Sequence, residues 1–159
     1  MLFSDIEKKL VNANIFGKLK KKKIKFITDH SEDVNSNTLL VINNKKFKRV
    51  YLKRAIEKGL ETIITNSFFE NIKITQIVVK DVDREILKLL NLRQPFNPKK
   101  SIAITGTNGK TSVTWYLAQI CKYNNIQTKL IGTLGFYKNN KKVKNSLLTT
   151  PSNLEIYQF

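Results

Sequence analysis

Residues Ser101–Tyr116 read SIAITGTNGKTSVTWY, and this stretch decides the fold class of the chain. A short apolar run, Ile102–Ile104, leads into Thr105–Thr111, which holds two glycines and a Lys-Thr pair. A stretch with helical periodicity and no Gly or Pro follows at Ser112–Tyr123. Strand, glycine loop, Lys-Thr and helix are the layout of a phosphate-binding loop. We therefore predict an α/β protein whose loop holds the phosphates of a nucleotide.

The loop carries a suitable residue type for each part of this task. Glycines let the backbone turn its N–H groups inward around an anion. Lys110 supplies a cation for the β- and γ-phosphates and is the candidate catalytic residue, while Thr111 supplies a hydroxyl for Mg²⁺. The candidate nucleotide-binding residues are Gly106, Thr107, Asn108, Gly109, Lys110, Thr111 and Ser112.

The spacing of this loop departs from the standard Walker pattern. That pattern places four residues between its first Gly and the Gly-Lys pair, whereas only Thr107 and Asn108 separate Gly106 from Gly109. The alternative interpretation is a glycine turn before a core helix, with Lys110 solvated. The strand, helix and Lys-Thr-Ser sequence in their proper places favour the phosphate loop.

Composition limits the possible classes of protein. The chain has 159 residues, of which 41% are hydrophobic, so it can bury a core in one domain or two small ones. Cys121 is the single cysteine, which excludes an internal disulfide. The N-terminus carries charges early and has no long apolar core, so we expect neither a secretory signal nor a membrane span. We therefore expect a cytoplasmic protein.

The net charge of +17 invites a nucleic-acid interpretation, which we do not favour. Only four of the 29 basic residues are Arg, and Lys, Asn and Ile, which A/T-rich codons encode, are all abundant. Recognition of bases and phosphates favours Arg forks and interleaved aromatic residues, and neither is evident. We therefore expect no nucleic-acid partner.

Periodicity predicts alternating strands and helices on both sides of a linker. We expect a small N-terminal α/β domain at residues 1–94, a linker at 95–100, and the start of a P-loop-type parallel-sheet ATPase domain, truncated, at 101–159.

The first domain is predicted to contain four strands, at Ile24–Thr28, Thr38–Ile42, Thr62–Thr65 and Ile74–Lys80. It is also predicted to contain three helices, at residues 4–11, Val50–Lys58 and Asp83–Leu92. Ser4 is expected to cap the first of these helices, and Gly59 to end the second. The second domain is predicted to continue with a strand at Gln127–Ile131, a glycine turn at Gly132–Phe136, a hairpin tip or surface loop at Lys138–Asn145 and a helix from Asn153.

Three segments resemble the Mur ligase family in order along the chain. Ile104–Ser112, ITGTNGKTS, is similar to the compact ATP-binding loop of that family, which accounts for the short spacing. Ile131–Phe136, IGTLGF, and Leu148–Pro151, LTTP, match further motifs, and the trio looks most like the MurE type. The resemblance is strong over residues 101–157. Before them, His30-Ser31-Glu32 can be laid on the Asp-Ser-Arg marker of the family's UDP-binding domain, with only Ser31 matching.

The resemblance implies an ATP-dependent amide ligase of peptidoglycan precursor synthesis. Such an enzyme adds diaminopimelate or lysine to UDP-N-acetylmuramoyl-L-alanyl-D-glutamate through an acyl-phosphate intermediate, with ATP and Mg²⁺. It also implies that Thr149, Thr150 and Ser31 contact the UDP-muramoyl-dipeptide. A threonine cap at a helix start after Pro151 is the structural alternative for the two threonines. The family's other Mg²⁺ ligands and its acceptor domain would lie beyond Phe159, so we expect that this chain alone does not ligate.

Two alternatives remain open at this point. One is another ligase of the superfamily, of the MurF or folylpolyglutamate synthase type. The other is a non-catalytic nucleotide-binding module whose sugar-nucleotide domain is degenerate. The acceptor amino acid and the oligomeric state do not follow from the sequence.

Overall fold

The computed structural model describes residues 3–10, 12–18, 23–43, 47–93, 98–146 and 151–159. The chain forms two compact units, Met1–Pro95 and Phe96–Phe159. No helix among the described residues is both long enough and apolar enough to cross a membrane.

The first unit is built on a five-stranded sheet. Its strands are β1 (Asn14–Phe16), β2 (Phe26–Thr28), β3 (Thr38–Ile42), β4 (Thr62–Thr65) and β5 (Thr75–Val78), in the spatial order β1-β5-β4-β3-β2. Strands β2 to β5 run parallel, and β1 pairs antiparallel with β5 at one edge. Three helices accompany the sheet, α1 (Phe3–Lys9), α2 (Arg49–Glu57) and α3 (Val82–Arg93).

The central strands are apolar at successive positions because both faces of the sheet are covered. All five residues of β3 and all four of β4 are buried. On one face Leu40, Ile42 and Ile63 pack with Leu52 and Ala55 of α2. Helices α1 and α3 contact each other and bury apolar side chains of their own, including Ile6 and Leu89.

Helix α2 ends at a glycine, as its sequence predicts. Gly59 has φ 91°, and its N–H donates to the carbonyl of Ile56 over 2.8 Å. The N–H of Leu60 donates to the carbonyl of Ala55 over 3.0 Å. This pair of bonds is the Schellman arrangement, in which a left-handed residue satisfies the last helical carbonyls.

Most predicted elements of the first unit are present, and two details differ. The β3 and β4 bounds match the sequence prediction, and the fold class α/β is confirmed. Strand β1 was not predicted, because three residues between turns carry no readable period. The prediction of Ser4 as a cap is wrong, because the helix already begins at Phe3 and Ser4 lies within it.

The second unit contains helix α4 (Lys110–Tyr123), strands β6 (Lys129–Gly132), β7 (Gly135–Lys138) and β8 (Lys141–Lys144), and helix α5 (Asn153–Gln158). The three strands form an antiparallel sheet in chain order. Asn139 and Asn140 join β7 to β8 with φ of 49° and 61°. Two successive positive φ angles are the signature of a type I′ turn, which suits a two-residue hairpin. The tip predicted within Lys138–Asn145 is therefore present at Asn139 and Asn140, whereas Lys141–Lys144, which was also predicted as tip or loop, forms strand β8.

Helix α5 begins with a capping box that includes Ser152. The Ser152 hydroxyl accepts a hydrogen bond from the Glu155 N–H over 3.2 Å, and the Glu155 carboxylate accepts one from the Ser152 N–H. Glu155 also pairs with Lys144 of β8 at 2.7 Å. The cap of this helix is thus a serine after Pro151, and the threonine cap considered above is wrong.

One predicted strand is not formed. Ile102–Ile104 belongs to no sheet, and Ile102 is 73% exposed. A strand needs neighbours to satisfy its backbone groups, and in the described part of the second unit the strands form only the β6–β8 sheet. The parallel sheet therefore lies in the first unit, and the expectation of parallel strands around the loop is not met within the described residues of the second.

Truncation of Leu52 tests the core of the first unit. Leu52 is fully buried in α2, so Leu52→Ala should lower the free energy of unfolding by about 2–5 kcal/mol. Val50→Ala in the same helix removes a half-exposed side chain and should change it by less than about 0.5 kcal/mol. Urea unfolding followed by far-ultraviolet circular dichroism measures both. Equal effects of the two substitutions would contradict this core.

The Glu32–Lys58 pair tests electrostatics at the end of β2. The Lys58 ammonium lies 2.5 Å from the Glu32 carboxylate, and its hydrogen bond and then its charge lower the pKa of Glu32. A lowered pKa contributes stability above the unfolded-state pKa, and this is lost as pH falls through the folded-state pKa. Lys58→Met should raise the pKa of Glu32 in a carbon-13 NMR titration. Lys53→Met, an exposed lysine of α2, is the control and should leave it unchanged.

Candidate functional site

The loop at residues 105–109 ends where α4 begins, and glycine makes this junction possible. Gly109 is the residue before the helix and has φ 78°, a left-handed angle that other residues rarely adopt. Gly106 has φ 149°. Since Gly109 has no side chain to cap the helix, the first-turn N–H groups of Lys110, Thr111 and Ser112 are left to other acceptors. The N–H of Val113 already donates to the Gly109 carbonyl.

Lys110 folds back over its own loop. Its Nζ donates to the carbonyl of Gly106 over 2.5 Å and to that of Thr107 over 3.1 Å. The ammonium is therefore held beside the uncapped start of α4. A cation and the positive end of a helix dipole lie together there, which is the electrostatic requirement for holding an anion.

A cavity of about 370 Å³ lies against this loop. One wall is formed by residues 104–106 with Lys110 and Thr111, and the other by residues 130–134. Thr114 and Trp115 of α4 line it between the two walls. Its volume falls in the range of small-ligand sites, which is about 300–1,000 Å³. The structure thus brings the first and second sequence motifs, ITGTNGKTS and IGTLGF, to one cavity.

Sequence reasoning missed Trp115 as part of this site. Trp115 lies one turn after Thr111, and its ring packs edge-on against Tyr137 of β7 with centroids 5.3 Å apart. This contact holds the start of α4 to the sheet that carries residues 130–134. The available signal was its position, since a residue four places after the loop Thr returns to the same face of the helix.

The two glycines of the second motif differ in what constrains them. Gly135 has φ 118°, and a Cβ there would lie 2.5 Å from the Lys144 carbonyl oxygen. Gly132 has open space around the same position. Of these two glycines, only Gly135 is therefore required by the β7–β8 pairing, a difference that the predicted glycine turn at Gly132–Phe136 does not reveal.

The described residues contain no group of three or more His, Cys, Asp or Glu side chains that could hold a metal ion. Thr111, the predicted metal ligand, is exposed in the first turn of α4. Thr111 directly follows Lys110. This position suits a hydroxyl that coordinates the same Mg²⁺ as a phosphate held by the loop. Cys121 lies half-buried in the same helix.

The remaining predicted substrate residues are Ser31, Thr149 and Thr150. Ser31 belongs to the first unit, in the turn that follows the carboxyl end of β2. Its neighbour His30 is exposed, with Nε2 3.6 Å from the Asp29 carboxylate, as expected for a surface residue. Thr149 and Thr150 lie outside the described residues.

Substitution of the two glycines separates their roles. Gly135→Ala should lower the stability of the second unit by about 2 kcal/mol or more, because strain at positive φ adds to a backbone clash. Gly132→Ala should change it by less than about 1 kcal/mol. Trp115 is the only tryptophan, so its fluorescence during urea unfolding reports on this unit. An effect of Gly132→Ala as large as that of Gly135→Ala would contradict the assignment.

Comparison with known proteins relates this geometry to a family. Residues 104–159 match the Mur ligase middle domain. The UDP-N-acetylmuramoyl-L-alanyl-D-glutamate–L-lysine ligase of Enterococcus faecalis is 31% identical over 131 residues, which are 80% of this chain and 26% of that protein. The corresponding 2,6-diaminopimelate ligase of Rickettsia conorii is 38% identical over 86 residues, 54% of this chain and 18% of that one.

Solved structures agree in fold. A UDP-N-acetylmuramoyl-L-alanyl-D-glutamate–2,6-diaminopimelate ligase superposes with a TM-score of 0.71 at 18% identity, over 99% of this chain and 32% of the other. This chain spans about a quarter of the length of the E. faecalis relative. The matched middle-domain segment contains the loop, the cavity and α4 described above. By its sequence and its fold, the chain belongs to the Mur ligase family.

Proposed function

We propose that this chain binds ATP and Mg²⁺ through Gly106–Ser112 as part of a ligase of peptidoglycan precursor synthesis. The observation that carries the proposal is the left-handed Gly109, which ends the loop and leaves the start of α4 uncapped beside the Lys110 ammonium. The family relationship supports the identity of the nucleotide, since Mur ligases depend on ATP. ATP is a cytoplasmic substrate, so we place the chain in the cytoplasm.

Each loop residue receives a role from its position. The backbone N–H groups from Gly106 to Lys110 hold phosphate oxygens. Lys110 exchanges the carbonyls of Gly106 and Thr107 for the β- and γ-phosphates, which carry more negative charge. Thr111 holds Mg²⁺, and Ser112 donates to the α-phosphate. Phosphoryl transfer needs this positioning and charge neutralisation more than covalent help from the protein.

The reaction proposed for the whole enzyme adds the third amino acid to UDP-N-acetylmuramoyl-L-alanyl-D-glutamate. The relatives are named for diaminopimelate or for L-lysine as the added residue, and either fits this chain. The γ-phosphate passes to the substrate carboxylate, and the amine of the incoming amino acid then displaces it. Thr149, Thr150 and Ser31 are proposed to contact the UDP-muramoyl-dipeptide, on the resemblance alone.

Replacement of Lys110 tests nucleotide binding. A charge-assisted hydrogen bond contributes about 1.5–3 kcal/mol, so Lys110→Met should weaken ATP–Mg²⁺ binding by about 10- to 100-fold in equilibrium dialysis. Lys122→Met is the matched control, because it removes the same charge from the same helix at an exposed position away from the cavity. Equal losses in the two variants would show that the net charge of +17 attracts the nucleotide without a site.

Replacement of Thr111 tests the metal. Thr111→Val keeps the shape of the side chain and removes the hydroxyl, so it should reduce ATP affinity in Mg²⁺ toward the value measured with the metal chelated. Gly106–Lys110 remain intact, so binding of ATP without Mg²⁺ should not change. A variant that retains the full Mg²⁺ dependence would contradict the assignment.

Titration with UDP-muramoyl-dipeptide separates the ligase from a nucleotide-binding module. Binding of both ATP–Mg²⁺ and the dipeptide supports the ligase. Binding of ATP–Mg²⁺ alone favours the module. In an ADP-release assay with the dipeptide and diaminopimelate, we expect no turnover from this chain by itself, and turnover would contradict that expectation.

A further inference from the structure

A second cavity, of about 610 Å³, lies entirely within the first unit. It is lined where the parallel strands begin, since Glu61 immediately precedes β4 and Thr75 begins β5. Phe16, the last residue of the antiparallel β1, lines it from the same edge of the sheet. Ser31 instead follows the carboxyl end of β2, which runs parallel to β3. The cavity and the residue predicted to contact the sugar nucleotide therefore lie at opposite edges of one sheet.

Two loops that form walls of this cavity are fixed to β5 by buried side chains. The Thr75 hydroxyl donates to the carbonyl of Lys18 over 2.9 Å. Gly17 has φ 98°, and a Cβ there would lie 3.2 Å from the Thr75 Cα. The Gln76 amide accepts from the N–H of Phe69 and donates to its carbonyl, each over 2.9 Å. Because these walls are already held in place, a ligand that enters orders little of the protein.

Two phenylalanine rings line the cavity and remain open to solvent. Phe16 and Phe68 are 44% and 48% exposed, and their ring centroids lie 4.6 Å apart. The apolar part of the lining is completed by Ile56, Ile72 and Ile74, which pack against the buried core. Single exposed apolar side chains are ordinary. A pair of contacting rings on a concave apolar surface offers stacking to a planar ligand.

The charges at this cavity favour an anion. Lys18 and Lys73 line it and are exposed, and Glu61 is the only acidic side chain among the described residues that line it. The chain as a whole carries +17, so its long-range potential has the same sign. Ammonium groups form charge-assisted hydrogen bonds with carboxylates and phosphates and repel cations.

We propose that this cavity, the amino-edge cavity, binds a planar aromatic molecule that carries an anionic group. Phe16 and Phe68 contact the ring, and Lys18 and Lys73 bind the anionic group. An aromatic carboxylate and a nucleoside monophosphate share this chemistry. The site is separate from the cavity at the phosphate loop, because the two have no lining residue in common. It is equally separate from Ser31 and therefore does not rest on the proposed ligase substrates.

Amide chemical shifts of the nitrogen-15-labelled full chain test the proposal. Gly17 and Gly59 line the amino-edge cavity, whereas Gly106 and Gly132 line the other. The first probe is indole-3-acetate, and its neutral twin, indole-3-acetamide, is the control for charge. We expect indole-3-acetate to shift the amides of Gly17 and Gly59 saturably and those of Gly106 and Gly132 not at all. The neutral twin should bind at least about fivefold more weakly.

Adenosine monophosphate is the second probe and separates the two sources of this chemistry. Saturable shifts of Gly17 and Gly59 support the proposal with either probe, and the probe with the lower dissociation constant identifies the ligand as a nucleotide or an aromatic carboxylate. Shifts of Gly106 and Gly132 with this probe report binding at the phosphate loop, so the two sites are measured independently.

Two substitutions with matched controls locate the contacts. Phe68→Ala and Lys73→Gln should each weaken binding of the tighter probe at least about fivefold, through lost stacking and lost charge. Phe26→Ala and Lys53→Gln change the same residue types at exposed positions of the first unit that do not line the cavity, and binding should stay unchanged. All four positions are exposed, so circular dichroism should show unchanged helix content.

Three outcomes would overturn the proposal. These are no saturable shift of Gly17 and Gly59 with either probe, equal affinity for indole-3-acetate and its neutral twin, and equal losses in the cavity variants and their controls. Lys110→Met removes the candidate phosphate-binding cation and should leave the shifts of Gly17 and Gly59 unchanged. A failure of nucleotide binding at the loop and a failure of the amino-edge cavity are therefore distinguishable.

Discussion

An element with apolar side chains on two faces has to be covered on both, and the two units meet this constraint to different extents. In the first unit every residue of β3 is buried, and α2 packs its Leu52 and Ala55 over one face of the sheet. Among the described residues of the second unit, α4 meets β6–β8 on one side and leaves Tyr116 and Ile120 exposed. The same deficit explains why Ile102–Ile104, an apolar run of strand length, forms no strand: the described second unit offers it no neighbour.

The geometry of the loop at residues 105–109 depends much less on whether apolar faces are buried. Its geometry is local, because Gly109 starts the helix, Lys110 bonds to carbonyls three and four residues back, and Trp115 anchors the first turns to Tyr137. A phosphate site needs backbone N–H groups, a helix start and a cation, all of which lie within a few residues. Selection of an acceptor amino acid needs side chains from distant parts of a chain. This difference explains why the local features of a phosphate site can all be present in the described loop.

The accuracy of the sequence interpretation follows the same division between local and distant interactions. The end of α2 at Gly59, the hairpin tip at Asn139 and Asn140 and the helix from Asn153 were predictable, since each depends on neighbouring residues. The short β1 was not, because its pairing with β5 is a contact with residues some sixty positions away. Trp115 was overlooked because its role arises from Tyr137, which lies on another element.

The sequence by itself indicated the family, the α/β class and the candidate residues of a phosphate loop, because a compact motif of glycine, lysine and threonine carries its own backbone geometry and charge. Only the tertiary structure showed that Gly135 is constrained by the Lys144 carbonyl while Gly132 is not, since the two glycines differ in what lies across the sheet. Only the structure showed that α4 has an exposed apolar face, because periodicity reveals which residues share a side of a helix but not whether anything covers that side.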